Sequence, residues 1–478
     1  MVTKDANDAE GARSNWNVRS NRMRRTIPIA GFAARAASGR MVAALQERAG
    51  NKRATERFHQ RTAERYTDLL SESKGVLMKA GQILSFMDWS SSDDGPLSIY
   101  QAALGRLQSD AAPMDATTAV DTLESELGRP VGEVFARFDR EPLAAASIGQ
   151  VHDAELPDGR HVAVKIQYPG IADAIRADLA NTQLLATFIQ LGLSLAPRSM
   201  RAWQKDAARE ISARIAEEID YHNEMSNIQR FSDLYRGHPF IRVPEVIREA
   251  SSSGVITMTY VDGISWKEAQ SADQSLKNSW AEVIMRFGYG SFRHAGFFQA
   301  DPHPGNYRFG LDGSIGFVDF GCVKSLSEFR RDGLVRSIRT TLDHQLDDLR
   351  TVLQQQGFFG PDSDLTKDEV YGWCSQTVRA MTGPQPFAFG SGESTSIIRQ
   401  VLESNDAVLR RMDVPADWVF ISRLSLGIDT VLAELQATGY YRSIVDDLDG
   451  VAEPETELGK KHVVWARDRG LPFGMDQR

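Results

Sequence analysis

The chain has 478 residues, of which 42% are hydrophobic and 25% charged, a composition typical of an ordinary globular protein. Its two cysteines, Cys322 and Cys374, are too few and too far apart for a disulfide framework or a cysteine-based zinc site, which favours a reducing compartment. No apolar run reaches the length of about 18 residues that predicts a transmembrane helix. The N-terminal residues do not have the pattern of a signal peptide. We therefore expect a cytoplasmic protein.

The net charge of −9 is unevenly distributed. Residues 19–53 contain nine basic residues and one acidic residue, so this basic arm carries +8 and the rest of the chain −17. The acidic body argues against a nucleic-acid partner. Two interpretations of the arm remain open: a solvated tail, or peripheral contact with anionic lipid at the inner face of a membrane, with Ile27, Ile29 and Phe32 as shallow anchors.

The first half of the chain predicts helices followed by a small sheet. Residues 55–107 have a helical pattern, and a further helix is expected between the N-cap Asp115 and Gly128. A β-rich block then begins near Pro142 and contains a hairpin whose turn is Pro157–Gly159. Long helical patterns follow over residues 171–195 and 201–234.

The second half predicts one more strand and a large helical part. The strand GVITMTYV covers residues 254–261, and helices resume over residues 266–294. The segments YRF and SIGFV, joined through GLDG, predict a tight hairpin, and the chain after Ser325 is mostly helical apart from a loop at 383–395. This order predicts an α+β protein with two lobes and helical extensions.

A loop of small residues in the β-rich block resembles a phosphate-binding loop. Ala144, Ala146, Gly149 and Val151 occupy the positions of a G-x-G-x-x-G-x-V pattern in which alanine replaces the first two glycines. Small residues allow backbone N–H groups to approach phosphate, although the pattern alone is weak because alanine runs are common in helices.

The strand HVAVKIQY places Lys165 among apolar residues. Such a lysine ordinarily reaches out to water. The functional interpretation is an ammonium group that contacts the α- and β-phosphates and pairs with a carboxylate, for which Glu224 is the candidate. The spacing i, i+4, i+7 places Asp220, Glu224 and Asn227 on one face of a helix.

The predicted hairpin brings an acid, an amide and a second acid together. Asp301 and Asn306 have the spacing of a D-x-x-x-x-N loop, which supplies a catalytic acid and a metal-binding amide, and Asp319 begins a D-F-G sequence. Because the hairpin returns the chain, Asp319 should lie beside Asn306, and their oxygen atoms suit Mg²⁺. A rival interpretation makes Asp301, His303 and Asp319 a hydrolase metal centre, but no partner histidine cluster lies nearby in the sequence.

These motifs resemble the UbiB/AarF family of atypical protein-kinase-like proteins, which is linked to isoprenoid-quinone biology. The resemblance covers roughly residues 66–325 and includes a K-x-G-Q motif at Lys79 and Gln82 and an E-x-D motif at Glu218 and Asp220. By pattern alone the K-x-G-Q segment is a helix turn that packs in a core. The resemblance implies instead that Lys79 meets the E-x-D acids and that this helix covers the nucleotide site where a protein substrate would bind.

The resemblance implies a protein-kinase-like fold that binds ATP or ADP with Mg²⁺. It implies that Asn306 and Asp319 bind the metal, that Lys165 pairs with Glu224, and that Asp301 is the catalytic acid. The implied nucleotide-binding residues are Ala144, Ala145, Ala146, Ser147, Gly149, Val151, Lys165, Met258, Tyr260 and Val261.

The predicted domains are a basic arm at 1–54, a helical extension with the K-x-G-Q motif at 55–135, a kinase-like N-lobe at 136–262, a C-lobe at 263–350 and a helical extension at 351–478. The expected function is that of an atypical ATPase or small-molecule kinase with a prenyl-lipid or quinone-precursor ligand. The alternatives are a non-catalytic, nucleotide-gated lipid chaperone or scaffold and an antibiotic or sugar phosphotransferase, of which the K-x-G-Q motif disfavours the last.

Two departures from the family pattern bear on these expectations. Gln299 stands where family members often have histidine, and we expect only a difference in scaffold. No A-P-E sequence follows the D-F-G, so a protein-docking activation segment is not expected.

Overall fold

The structure is a computed structural model that describes residues 60–61, 113–145, 148–179, 216–217, 219–390 and 407–476. The described helices are α1 Ala116–Leu127, α2 Val131–Val134, α3 Ile171–Leu179, α4 Tyr221–Tyr235, α5 Trp266–Ala269, α6 Gln274–Ala295, α7 Glu328–Leu342, α8 Leu346–Gln355, α9 Lys367–Thr377, α10 Arg379–Thr382, α11 Ala416–Glu434, α12 Tyr441–Asp449 and α13 Glu457–Asp468.

The described strands are β1 Arg137–Ala145, β2 Gly149–Glu155, β3 His161–Gln167, β4 Ile241–Arg242, β5 Val255–Thr259, β6 Phe297–Gln299, β7 Tyr307–Phe309, β8 Ile315–Phe317, β9 Val323–Ser325, β10 Phe387–Ala388 and β11 Thr438–Gly439. The chain divides into two compact units: unit 1 comprises the chain up to Asn223 together with Val246–Thr259, and unit 2 comprises Glu224–Glu245 and Tyr260 onwards.

Unit 1 is built on an antiparallel four-stranded sheet in the order β1-β2-β3-β5. The predicted hairpin is present as β2 and β3, and Gly159 adopts a positive φ of 85° in its turn. Helix α1 contacts the sheet and has the predicted caps, since the Asp115 carboxylate accepts a hydrogen bond from the Thr118 N–H and Gly128 adopts the left-handed conformation. The hydrophobic residues of β3 and β5 form the core of the sheet.

Unit 2 is mainly helical and is organised around α6, whose second half is buried on every side. Short sheets accompany it: β4, β8 and β7 form one, β6 pairs with β9, and β10 pairs with β11. Buried ion pairs join α6 to α12, because the Arg286 guanidinium contacts Asp447 at 2.7 Å and the Arg293 guanidinium contacts Asp449 at 2.7 Å. The C-terminal helices therefore belong to the core of unit 2.

Three buried histidines of unit 2 form a continuous hydrogen-bonded chain. The His238 Nδ1 accepts from the Ile241 N–H at 2.9 Å, and the His238 Nε2 is 3.0 Å from the His462 Nδ1. The His462 Nε2 is 3.0 Å from the His294 Nε2, and the His294 Nδ1 contacts the Pro472 carbonyl at 2.8 Å. One proton on each ring satisfies all of these bonds, so we assign the three histidines as neutral.

The predicted α+β class, with a β-rich part and a mainly helical part, is confirmed. In the part of the chain that the structure describes, no helix is long and apolar enough to cross a membrane. The basic arm and the K-x-G-Q segment, including Lys79 and Gln82, lie outside the described residues, as do Ala146, Ser147 and Glu218.

Candidate functional site

The β7–β8 hairpin brings Asn306 next to the D-F-G sequence. Tyr307 pairs with Phe317, and the Val318 N–H donates to the Asn306 carbonyl at 3.0 Å. Asp319 therefore directly follows Val318, which is hydrogen-bonded to the backbone of Asn306, and so lies beside Asn306 as the sequence predicts. The Asn306 amide and the Asp319 carboxylate carry hard oxygen atoms, the donor type that Mg²⁺ prefers, and their role as metal ligands stays a prediction.

The D-F-G turn is held by hydrogen bonds on both sides of Asp319. The Asp319 Oδ1 accepts from the Gly321 N–H at 3.0 Å, and the Asp319 carbonyl accepts from the Gln299 Nε2 at 2.7 Å. Gln299 is buried on β6. Its observed role is to support the backbone of Asp319, which agrees with the expectation of a scaffold residue at this position.

Helix α4 supports the same turn through Phe320. The Phe320 ring is fully buried with its centroid 4.8 Å from that of Phe231, and the Asn227 Nδ2 donates to the Phe320 carbonyl at 3.1 Å. Glu224 is also buried, and its Oε2 would be 4.0 Å from a Cβ atom at Gly321. Glu224 and Asn227 therefore share one face of α4, as the spacing predicts, and both lie at the D-F-G turn.

Asp220, which the spacing also placed on this face, does not lie on the helix face that Glu224 and Asn227 share. It is exposed and precedes α4, and its Oδ1 accepts from the Asn223 N–H at 3.0 Å. This is the geometry of a helix N-cap. A capping role is thus sufficient to explain the aspartate, and a regulatory role for it stays a prediction.

Asp301 forms an ion pair with an arginine that sequence reasoning did not identify. The Arg423 Nη2 is 2.6 Å from the Asp301 Oδ1, and each side chain is 30% exposed. Arg423 lies on α11, 122 residues further along the chain, so no local spacing could have connected the two residues. Burial and the negative charge of Asp301 both raise the pKa of the Tyr307 hydroxyl, with burial the larger cause.

The rival hydrolase centre is not supported by the geometry. The His303 Nδ1 accepts from the Gly305 N–H at 3.1 Å and so caps the short 3-10 helix Pro304–Asn306. Within the described ranges, no three histidine, cysteine, aspartate or glutamate side chains are arranged to bind a metal ion together. The His303 ring therefore has a structural role in the loop between Asp301 and Asn306.

In unit 1, Lys165 is buried on the central strand β3, with an exposed fraction of only 8%. Its backbone lies between Val151 of β2 and Ile256 of β5, and its ammonium is 5.3 Å from the centre of the Tyr221 ring. A lysine buried in a sheet is rare unless an anion or a π-system compensates for its lost hydration. This burial argues against the interpretation of Lys165 as a solvated strand residue.

The small-residue loop of unit 1 connects β1 to β2. Ala144 pairs with Val151, and Ala145 pairs with Gln150. A Cβ atom at Gly149 would clash with the carbonyl oxygen of Ile166 on β3. The glycine is thus required by the close approach of two strands, whether or not phosphate binds nearby.

The three other predicted nucleotide-binding residues lie on or after β5. Met258 is buried and pairs with Ala163 of β3. Tyr260 and Val261 follow β5 and are half-buried, and a Cβ atom at Gly316 would clash with the Val261 side chain, so Val261 packs on β8. A nucleotide contact for these residues, and the pairing of Lys165 with Glu224, remain predictions.

The chain matches a family model over residues 106–353, described as the ABC1 atypical kinase-like domain. It is 34% identical over 274 residues to protein ACTIVITY OF BC1 COMPLEX KINASE 8, chloroplastic, of Arabidopsis thaliana, with 56% of this chain and 35% of the relative covered. It is also 34% identical over 266 residues to atypical kinase COQ8, mitochondrial, of Saccharomyces cerevisiae, with 55% of this chain and 51% of the relative covered. The chain therefore spans between about a third and about half of these relatives.

A solved structure resembles most of the chain. It is that of Rv3197 from Mycobacterium tuberculosis in complex with erythromycin, with a TM-score of 0.57 and 28% sequence identity. The similarity covers 87% of this chain and 99% of that protein. It therefore extends beyond the segment that matches the family model.

Proposed function

Because this chain belongs to the ABC1 atypical kinase-like family, we propose that it binds ATP with Mg²⁺ and transfers the terminal phosphoryl group to water or to a small lipid-like acceptor. The observation that carries this proposal is the arrangement in unit 2, where the hairpin sets Asn306 beside Asp319 and the loop before it presents Asp301. An acid, an amide and a second acid in this order are the parts that phosphoryl transfer requires.

Each residue has a distinct proposed role. Asn306 and Asp319 would hold Mg²⁺, which when bound supplies positive charge that neutralises phosphate oxygens. Lys165 would contact the phosphates as an ammonium group, and Glu224 would orient it. Asp301 would accept the proton of the attacking hydroxyl or water. Burial of Lys165 and Glu224 is consistent with these roles, since buried charges are retained where they are paired or functional.

The acceptor is proposed from the relatives. The curated relatives include proteins named for mitochondrial and chloroplast locations, and the UbiB/AarF resemblance links the family to isoprenoid quinones. We therefore propose an acceptor or ligand from prenyl-lipid or quinone-precursor metabolism. Peripheral membrane contact through the basic arm belongs to the same proposal.

The metal assignment is tested by Asp319→Asn. Asparagine can still accept the Gly321 N–H hydrogen bond, so the fold should persist while the negative charge for Mg²⁺ is lost. Wild-type protein with MgATP at about 100 times its Kd should gain about 2.7 kcal/mol of stability, seen as a thermal shift. We expect the variant to lose this Mg²⁺-dependent shift. Asp348→Asn, which removes an exposed carboxylate on α8, is the matched control and should keep the shift.

A second candidate function is small-molecule binding without turnover, and the erythromycin complex of the similar Rv3197 favours it. Asp301→Asn separates the two candidates. If the protein is an ATPase or kinase, this variant should retain the MgATP thermal shift and lose most phosphate release. A wild-type protein that binds MgATP with no turnover above that of Asp301→Asn would favour the binding function.

A further inference from the structure

Helix α11 approaches the catalytic loop closely at Gly427. A Cβ atom on Gly427 would clash with the Pro302 ring and would be 3.4 Å from the Pro302 carbonyl oxygen. The helix thus contacts the residue that follows Asp301, and only glycine allows this approach. A side chain one turn away on the same helical face is therefore placed near Asp301.

Contacts with α6 hold α11 in place independently of Asp301. The Tyr289 hydroxyl is 2.9 Å from the Ser425 hydroxyl, and both side chains are buried. A Cβ atom on Gly288 would be 2.5 Å from the Ile428 Cδ1, so the two helices pack closely. These contacts position α11 without any contribution from the ion pair between Arg423 and Asp301.

The side chain that α11 presents at this point is Arg423, four residues before Gly427. Its guanidinium donates to the Asp301 Oδ1 at 2.6 Å, which is a charge-assisted hydrogen bond. A positive charge at this distance favours the ionised form of a carboxylate, and the hydrogen bond restricts its rotation. To take the proton of the attacking hydroxyl or water, a carboxylate must be ionised and correctly oriented.

We propose that Arg423 is a positioning residue for Asp301, supplied by a helix outside the segment that matches the family model. The matched segment ends at residue 353, whereas α11 begins at Ala416. The C-terminal helical region is therefore a part of the active centre as well as of the core of unit 2. This inference rests on the proposed function, because it assigns a role relative to Asp301.

The test compares the MgATP turnover of Arg423→Gln, Arg423→Lys and wild-type protein. We expect Arg423→Gln to lower kcat about tenfold, which is typical for the loss of a group that orients a catalytic residue. The KM for MgATP and the MgATP thermal shift should stay unchanged, since Arg423 is not a proposed metal or phosphate ligand. Arg423→Lys, and millimolar guanidinium added to Arg423→Gln, should each restore part of the turnover.

The matched control is Asp417→Asn, which breaks the 3.3 Å ion pair between Arg330 and the first turn of α11. It should lower thermal stability no more than Arg423→Gln does and leave kcat unchanged. Unchanged or increased kcat in Arg423→Gln would overturn the positioning role, as would a loss that neither lysine nor guanidinium restores. Wild-type turnover that does not depend on Asp301 would contradict the proposed function itself, which is a distinguishable result.

Discussion

At the scale of single residues, Gly149 shows that a motif residue can have a packing explanation. The position belongs to a phosphate-loop pattern, yet a Cβ atom there would clash with the Ile166 carbonyl and lie 3.1 Å from the Tyr221 hydroxyl. The strand pairing of Ala144 and Ala145 with β2 likewise follows from the sheet alone. Lys165 is the stronger indicator of function in unit 1, because a charged side chain that is only 8% exposed on an interior strand is rare unless its charge is compensated.

The packing role of Gly149 predicts a large cost for Gly149→Ala. Since the clash is with backbone, relief requires the strands to separate, and we expect a loss of at least about 2 kcal/mol in the free energy of unfolding. Gly132→Ala on α2 is the control, because a Cβ atom there meets no atom within 4 Å. Urea denaturation of both variants measures the difference. Equal free energies of unfolding would show that the sheet tolerates the side chain.

Some site residues could be predicted from the sequence and some could not. Asn306 and Asp319 were predictable because a short hairpin fixes which residues become neighbours, and the family resemblance was confirmed by the match to the ABC1 atypical kinase-like domain. Arg423 was not predictable, because its contact with Asp301 depends on how α11 packs on α6 and Pro302. Long-range packing leaves no periodic signal in the sequence.

At the scale of elements, the predicted ends of strands and helices were wrong where the local sequence pattern was weak. Strand β1 begins at Arg137, five residues before the expected start, because it is an edge strand that is mostly exposed and lacks apolar alternation. An edge position also explains why the strand accommodates Pro142. The helix expected over residues 266–294 is divided into α5, which begins at a Ser265–Glu268 capping box and ends at Ala269, and α6, which begins at Gln274.

Helix α4 supports the D-F-G turn through the side chain of Asn227, and this contact predicts the effect of Asn227→Ala. The change removes the buried donor to the Phe320 carbonyl, which should cost about 1–3 kcal/mol in unfolding free energy. Because the same turn carries Asp319, the MgATP thermal shift should also decrease. Asn223→Ala makes the same chemical change at an exposed position of α4 and serves as the control. Stability and MgATP shifts that match those of the control would show that α4 does not anchor the turn.

At the scale of the whole molecule, the histidine chain makes the stability of unit 2 sensitive to acid. Burial lowers the pKa of His238 well below its usual value, and the positive charge of Arg286 is a smaller cause in the same direction. Burial likewise lowers the pKa of His462, again with a smaller effect of the positive charge of Arg286. These groups stay neutral in the folded protein at a pH where they bind protons in the unfolded chain.

The direction of the pH effect follows from that difference. Above about pH 6.5, His238 and His462 are neutral in the folded and the unfolded protein and do not change the free energy of unfolding with pH. Below about pH 6.5, these histidines take up protons only in the unfolded chain, which lowers the free energy of unfolding. His238 and His462 should therefore each remove about 1.4 kcal/mol of stability per pH unit as the pH falls from about 6.5 towards their folded-state pKa. Urea denaturation at pH 7.5 and 5.5 measures this loss.

His462→Gln should reduce the pH dependence, since glutamine has a donor and an acceptor but takes up no proton in this range. His222→Gln removes an exposed histidine of α4 and should leave the pH dependence nearly unchanged. If His462→Gln and wild-type protein lose the same free energy between the two pH values, acid sensitivity arises elsewhere in the molecule.

The buried ion pairs and the histidine chain also determine when unit 2 can finish folding during synthesis. His238 and His462 are 224 residues apart in the chain, and Arg286 is 161 residues before Asp447. A ribosome thus completes α6, with Glu282 already available to Arg286, long before Asp447 and Asp449 emerge. Burying Arg286 and Arg293 without those partners would be strongly unfavourable. We therefore expect the core of unit 2 to close only after α12 and α13 have been translated.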